Sequence, residues 1–150
     1  MIPTPKIPPP ILLLIFVSIA MLFGIFLPIP IPVPAWVPWL GGALTIAGLA
    51  FAFWAVQTMR RAKTTLEPFM MPSALVVDGP FRISRNPIYV AYVCAGIGIP
   101  LVLGHYWGVI LSFFVIDLYN RLVIDPEEAL LDKKFGQAYR DYKAKVRRWL

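Results

Sequence analysis

Two arginines, Arg82 and Arg85, stand at the edge of an apolar run within the stretch DGPFRISRNPIYVAY, at 78–92, and Asn86-Pro87 follows directly. A guanidinium is a planar fork of donors that suits a carboxylate or phosphate. Much later come Glu127 and Glu128, whose carboxylates accept from hydroxyls and pair with cations. Such groups, brought together, suit a small dipolar ligand with an acid, a cation and hydroxyls. Each also has a plainer role. Arginines snorkel at membrane edges, Asn-Pro starts helices, and acids complement a helix N-terminus. Asp117 and Arg121 lie inside an apolar segment, where a charge costs about 2.5 to 3.5 kcal/mol on insertion scales. They stand four apart and can pair on one helix face. With one Cys (Cys94) and one His (His105), a protein-ligated transition-metal site is not expected.

The elements that position these residues follow from composition. The chain has 150 residues, 59% hydrophobic and 15% charged, which is the balance of a single membrane domain. Apolar segments at 11–27, 37–58, 88–103 and 107–124 read as four transmembrane helices. The net charge of +6 is explained by topology and not by nucleic acid. Of the 14 Lys and Arg, Lys6 precedes the first segment, and Arg60, Arg61, Lys63, Arg82 and Arg85 lie between the second and third. The rest run from Arg121 onward. With four spans all fall on one side, so both termini are expected in the cytoplasm. By the same topology His105 lies opposite the charged loops, away from any acid that a catalytic triad needs.

Prolines at 1–10 predict an extended lead-in, and PIPIPVPA at 28–35 predicts an extended connection. The mixed run with Pro68 and Pro72 reads as a surface connector. Gly96 and Gly98 read first as packing glycines, and only weakly as a ligand motif. Asp125-Pro126-Glu127-Glu128 predicts a fresh helix start, with Asp as N-cap and Pro at the first turn. An amphipathic helical segment follows over 126–149, bent at Gly136, with Lys133, Lys134, Arg140, Lys143, Arg147 and Arg148 directed to headgroups or solvent.

LVVDGPFRISRNPIY, the later GIG, and EEALLDKKFGQAYRDYKAKVRRW together resemble, in order and spacing, the isoprenylcysteine carboxyl methyltransferase and phospholipid methyltransferase superfamily. The resemblance covers roughly residues 75–149. It implies an all-α integral membrane enzyme that uses S-adenosylmethionine to methylate a lipid-like or small apolar acceptor reached from the bilayer. Carried over by position, Gly79, Arg85, Asn86, Pro87, Tyr89, Gly96, Gly98, Glu127 and Glu128 are expected to bind the cofactor. Arg85, Arg121 and Glu128 are expected to serve catalysis. Asn86 stands where the eukaryotic members have histidine. The helical architecture also resembles that of nicotinamide-dependent membrane reductases, and a non-catalytic membrane subunit retaining the fold is a further alternative. No motif specifies the acceptor or an oligomeric state. The compact chain without targeting signals points to a prokaryotic plasma membrane. The topology is testable with reporter fusions after Pro34 and after Leu150, which should report opposite sides of the membrane; the same side for both would remove one span.

Overall fold

The computed structural model describes residues 7–64 and 72–150. Residues 1–6 of the lead-in expected over 1–10, and most of the connector, at 65–71, lie outside the described residues; Pro9 and Pro10, expected to be extended, instead form the first turn of a helix, where a proline's missing N–H costs nothing. Among the described residues the fold is all-helical with no strand. The α-helices are α1 (Pro9–Phe26), α2 (Trp36–Arg61), α3 (Pro87–Val102), α4 (Trp107–Tyr119), α5 (Asp125–Phe135) and α6 (Gln137–Lys145). A 3-10 turn, Gly79–Arg82, precedes α3, and a π turn, Asn120–Ile124, joins α4 to α5. Helices α1, α2 and the continuous helix Trp107–Phe135 are long and apolar enough to cross a membrane. Helix α3 is equally apolar but has 16 residues, below the roughly 20 that a straight crossing needs.

Short as it is, α3 is the centre of the bundle. It is buried along much of its length, whereas α1, α2 and α4 turn Leu14, Phe53, Trp54, Phe113 and other large apolar side chains outward. Small residues permit this arrangement. A Cβ on Gly98 would lie 2.6 Å from the Gly41 carbonyl oxygen of α2 and 2.3 Å from the Thr45 hydroxyl. On Gly96 it would strike the ring of Phe16, which is 2% exposed and comes from α1. From α4, Gly108 approaches the Gly96 carbonyl just as closely. Backbones that pass at such distances gain dispersion contacts, the main attraction available to helices whose surroundings are as apolar as themselves. Gly96 and Gly98 therefore pack helices and lie away from the cavity described below.

Two local expectations are corrected. No new helix starts at Asp125: the residues from Trp107 to Phe135 form one helix, and Asp125 has helical dihedrals with no N-cap geometry. Pro126 lacks an N–H, and its ring would collide with the carbonyl of Leu122 in a regular helix. The chain instead widens into the π turn, where the Asp125 amide bonds to the Asn120 carbonyl. Gly136 does not bend one helix but separates two, at φ +51° and ψ −122°, a conformation from which side chains are all but excluded. The amphipathic segment is thus α5 and α6 at an angle, followed by an irregular tail.

The packing predicts opposite outcomes for two alanine substitutions. Gly98→Ala should destabilise the detergent-solubilised protein by about 1 to 3 kcal/mol through overpacking. Gly42→Ala, where the nearest atom to a new Cβ is 4.0 Å away, should be neutral or stabilise by up to about 1 kcal/mol. Thermal unfolding of the two variants measures the difference.

Candidate functional site

The N-terminal end of α3, the middle of α5 and the inner face of α6 enclose a cavity of about 320 Å³. Pro9 and Pro10 of α1 and Val56 and Met59 of α2 complete it, and its surface is mostly apolar. Proline starts α3, which fixes the chain direction at Arg85 and Asn86. The π turn sets the rotation of α5, and Glu127, Glu128, Leu130 and Leu131 line the cavity. The break at Gly136 then folds α6 back, and Tyr139 and Tyr142 form part of the wall.

The two neighbouring glutamates have different surroundings. Glu128 is buried and meets three cations: Arg148 at 2.8 Å, Lys143 at 3.0 Å and Arg85 at 3.2 Å. Glu127 opens onto the cavity, and among the described residues its carboxylate accepts one hydrogen bond, from the Tyr89 hydroxyl at 3.0 Å. Arg85 is equally constrained by its setting. Its side chain is 9% exposed, its Nη1 lies 3.5 Å from the Tyr139 hydroxyl, and its Nε is buried with no hydrogen-bond partner among the described residues. Burial pushes the Tyr139 phenol up to about 12, so it remains a neutral hydroxyl near pH 7.

Arg85, Asn86, Pro87, Tyr89, Glu127 and Glu128 are brought together around this cavity. Asn86 turns its amide to the tail, where Nδ2 donates to the Arg148 carbonyl at 3.0 Å. Gly79, Gly96, Gly98 and Arg121 are placed elsewhere. Gly79 has φ +59° and sets its turn against Trp54 and Thr58 of α2, because a side chain there would meet the Thr58 hydroxyl at 2.9 Å. Arg121, within the π turn, points outward in an exposed pair with Asp117 at 2.9 Å and does not border the cavity. The added residue in that turn rotates Arg121 out of phase with Glu128, so the two do not share a face.

Lys143 and Arg148, expected at headgroups or solvent, instead meet Glu128. Tyr139 and Tyr142, within FGQAYRDY, were not among the expected site residues. Their hydroxyls have specific partners, Tyr139 beside Arg85 and Tyr142 donating to the Phe81 carbonyl at 2.7 Å. Tyrosines three apart on an otherwise charged helix were the available signal. Among the described residues no cluster suits a metal ion.

A family model described as phospholipid methyltransferase matches residues 36–138. Protein-S-isoprenylcysteine O-methyltransferase of Schizosaccharomyces pombe is 33% identical over 72 residues, covering 48% of this chain and 30% of the yeast protein. An uncharacterized protein of Haemophilus influenzae is 54% identical over 43 residues, covering 29% of this chain and 64% of that protein. The matched part is thus less than two thirds of either relative. No solved structure matches significantly.

Burial separates the two acid–base pairs named here. Glu128→Ala leaves Arg85 without its carboxylate in a buried setting and should destabilise the protein by about 3 kcal/mol or more. Arg121→Ala removes an exposed pair and should cost less than about 1 kcal/mol. Comparable melting shifts in the two variants would contradict the assignment of Glu128 as the buried anchor.

Proposed function

The chain belongs to the phospholipid methyltransferase family, and on that premise we propose that it transfers a methyl group from S-adenosylmethionine to a lipid-like or small apolar acceptor at the cytosolic face of a membrane. In this reading α1, α2, α3 and Trp107–Ile124 form four spans, with both termini cytoplasmic in a prokaryotic plasma membrane. Helix α3 is short for a crossing but is sheathed by its neighbours, so its connecting segments complete the passage.

The observation that carries the reading is the unused capacity of two buried groups in one cavity. Among the described residues the Arg85 Nε lacks an acceptor, and Glu127 holds only a neutral donor. This donor set fits the cofactor, whose carboxylate suits Arg85 and whose hydroxyls and cationic centre suit Glu127. At about 320 Å³ the cavity has the size and mainly apolar lining of small-molecule sites. When bound, S-adenosylmethionine supplies a methyl group on a sulfonium, which a nucleophile takes in line.

The residues of this chain contribute alignment. Arg85 would hold an anionic group in a fixed orientation, because the turn before Pro87 fixes its backbone and the cavity wall encloses its side chain. Tyr89 directs the Glu127 carboxylate through the 3.0 Å hydrogen bond. Val56, Met59, Leu130 and Leu131 exclude water, which strengthens these polar contacts and suppresses hydrolysis. A carboxylate acceptor would need no general base, since it is already ionised near pH 7. Glu128, saturated by cations, serves here by supporting Arg85.

Calorimetry with S-adenosylhomocysteine and transfer of labelled methyl into a lipid extract test the reading. Glu127→Gln should weaken binding by about 1.5 to 3 kcal/mol, the worth of a hydrogen bond to a charged group. Arg85→Lys, which keeps charge and loses the fork, should slow transfer by about tenfold or more. Absence of any binding by the wild-type protein would overturn the cofactor assignment, and unchanged rates in Arg85→Lys and Arg85→Ala would overturn the role of the arginine.

A further inference from the structure

The carboxyl-terminal VRRW is not explained by cavity lining, since none of its residues borders the cavity. Its contacts nevertheless converge on the cavity's charged groups. Arg148 takes both oxygens of Glu128, with Nε on Oε1 at 3.0 Å and Nη2 on Oε2 at 2.8 Å. Arg85 has one longer contact, 3.2 Å from Nη2 to Oε1, although its side chain is the most buried of the three cations at 9% exposure against 29% for Arg148 and 49% for Lys143. The buried cation is therefore the one held most loosely.

Arg148 is itself anchored. Asp125 Oδ1 lies 2.9 Å from its Nη1, and Asn120 Oδ1 accepts from the same nitrogen at 3.4 Å and from Trp149 Nε1 at 3.1 Å. Both acceptors belong to the π turn or its boundary, so the local irregularity forced by Pro126 also aims these groups at the tail. The docked tail then grips the turn that bears Arg85. The Arg147 carbonyl accepts from the Arg85 amide at 2.9 Å, and the Arg148 carbonyl accepts from the Ser84 hydroxyl at 3.2 Å and the Asn86 amide group at 3.0 Å.

We propose that Arg148 is a positioning residue for the cavity. By occupying Glu128 with a two-point pair it keeps Arg85 from being drawn into one, and it docks the tail whose carbonyls fix the backbone at 84–86. The Arg85 guanidinium is thereby left facing the cavity with donor capacity for a carboxylate or phosphate oxygen. A planar fork suits this role, because an ammonium offers no pair of parallel N–H donors matched to the two oxygens of Glu128.

The experiment uses the full chain in detergent, as wild type, Arg148→Lys and Arg148→Met. Hydrogen exchange without ligand should show faster exchange at the Arg85 amide in Arg148→Met, confined to the segment around 84–86 and the tail. Affinity for S-adenosylhomocysteine, an arm that rests on the function proposed above, should fall about tenfold, equivalent to about 1.4 kcal/mol. Arg148→Lys should lie between wild type and Arg148→Met in both measurements, and it carries the test if Arg148→Met does not fold. An unchanged Arg85 amide would overturn the proposal, as would faster exchange spread evenly through α3 to α6, which marks general destabilisation. If the wild type binds no S-adenosylhomocysteine, the function fails and the exchange measurement alone decides the role of Arg148. If it binds, unchanged affinity in both variants overturns the proposal.

Discussion

One buried carboxylate holds one end of the helical bundle together. Glu128 joins a residue just before α3, a residue of α6 and a residue of the tail through Arg85, Lys143 and Arg148. An ion removed from water pays a desolvation cost of several kcal/mol, and that cost is recovered only when its lone pairs are met with good geometry. Here both oxygens are met by cations, and the surplus of positive charge also leaves Arg85 partly unengaged. The cluster therefore fixes geometry as much as it adds stability. Holding a guanidinium in place while some of its donors are free is what a site for an anionic group requires.

The apolar part of the chain obeys a different constraint. Helices that face one another and surroundings of equal hydrophobicity gain little by sorting apolar from polar faces, so close approach decides which surfaces meet. Gly41, Gly96, Gly98 and Gly108 let α1, α2 and α4 close on α3, and the large side chains point outward. A rigid central helix then presents Tyr89 at its N-terminal end, where its hydroxyl donates a hydrogen bond to the Glu127 carboxylate. Three tyrosines, Tyr89, Tyr92 and Tyr119, pack with ring centroids 5.7 to 6.3 Å apart and link α3 to the end of α4 beside the site. Packing and site geometry are thus continuous along α3.

Much of this organisation was legible in the sequence because its causes are local. Runs of apolar residues specify helices wherever water cannot satisfy the backbone, and prolines and glycines mark where helices stop. Arg85, Asn86, Tyr89, Glu127 and Glu128 could be placed near one another through a motif whose spacing survives without knowledge of the fold. The same locality misled at Asp125, where acid, proline and acid form a valid N-terminus by sequence, and the helix instead runs through by widening one turn. At Gly96 and Gly98 the local reading as packing glycines agrees with the close approach of neighbouring helices, whereas the cofactor role came only from the resemblance.

By itself the sequence determined the class of protein, the apolar segments and the charged and polar residues that meet at the cavity, since each depends on composition, period or spacing along the chain. Only the tertiary structure decided which acid is saturated and which is open. Glu127 and Glu128 are adjacent and chemically alike, and they differ because successive residues on a helix point about 100° apart. Both border the cavity, but the oxygens of Glu128 are taken up by the folded-back tail and its neighbours, whereas Glu127 meets only Tyr89 among the described residues. Likewise Arg148 and Arg121 are both arginines near charged segments. The π turn leaves Arg121 with Asp117 at the surface, while the break at Gly136 returns Arg148 to Glu128. Contacts between residues far apart in sequence depend on those two backbone irregularities, and no pattern within a single helix encodes where they lead.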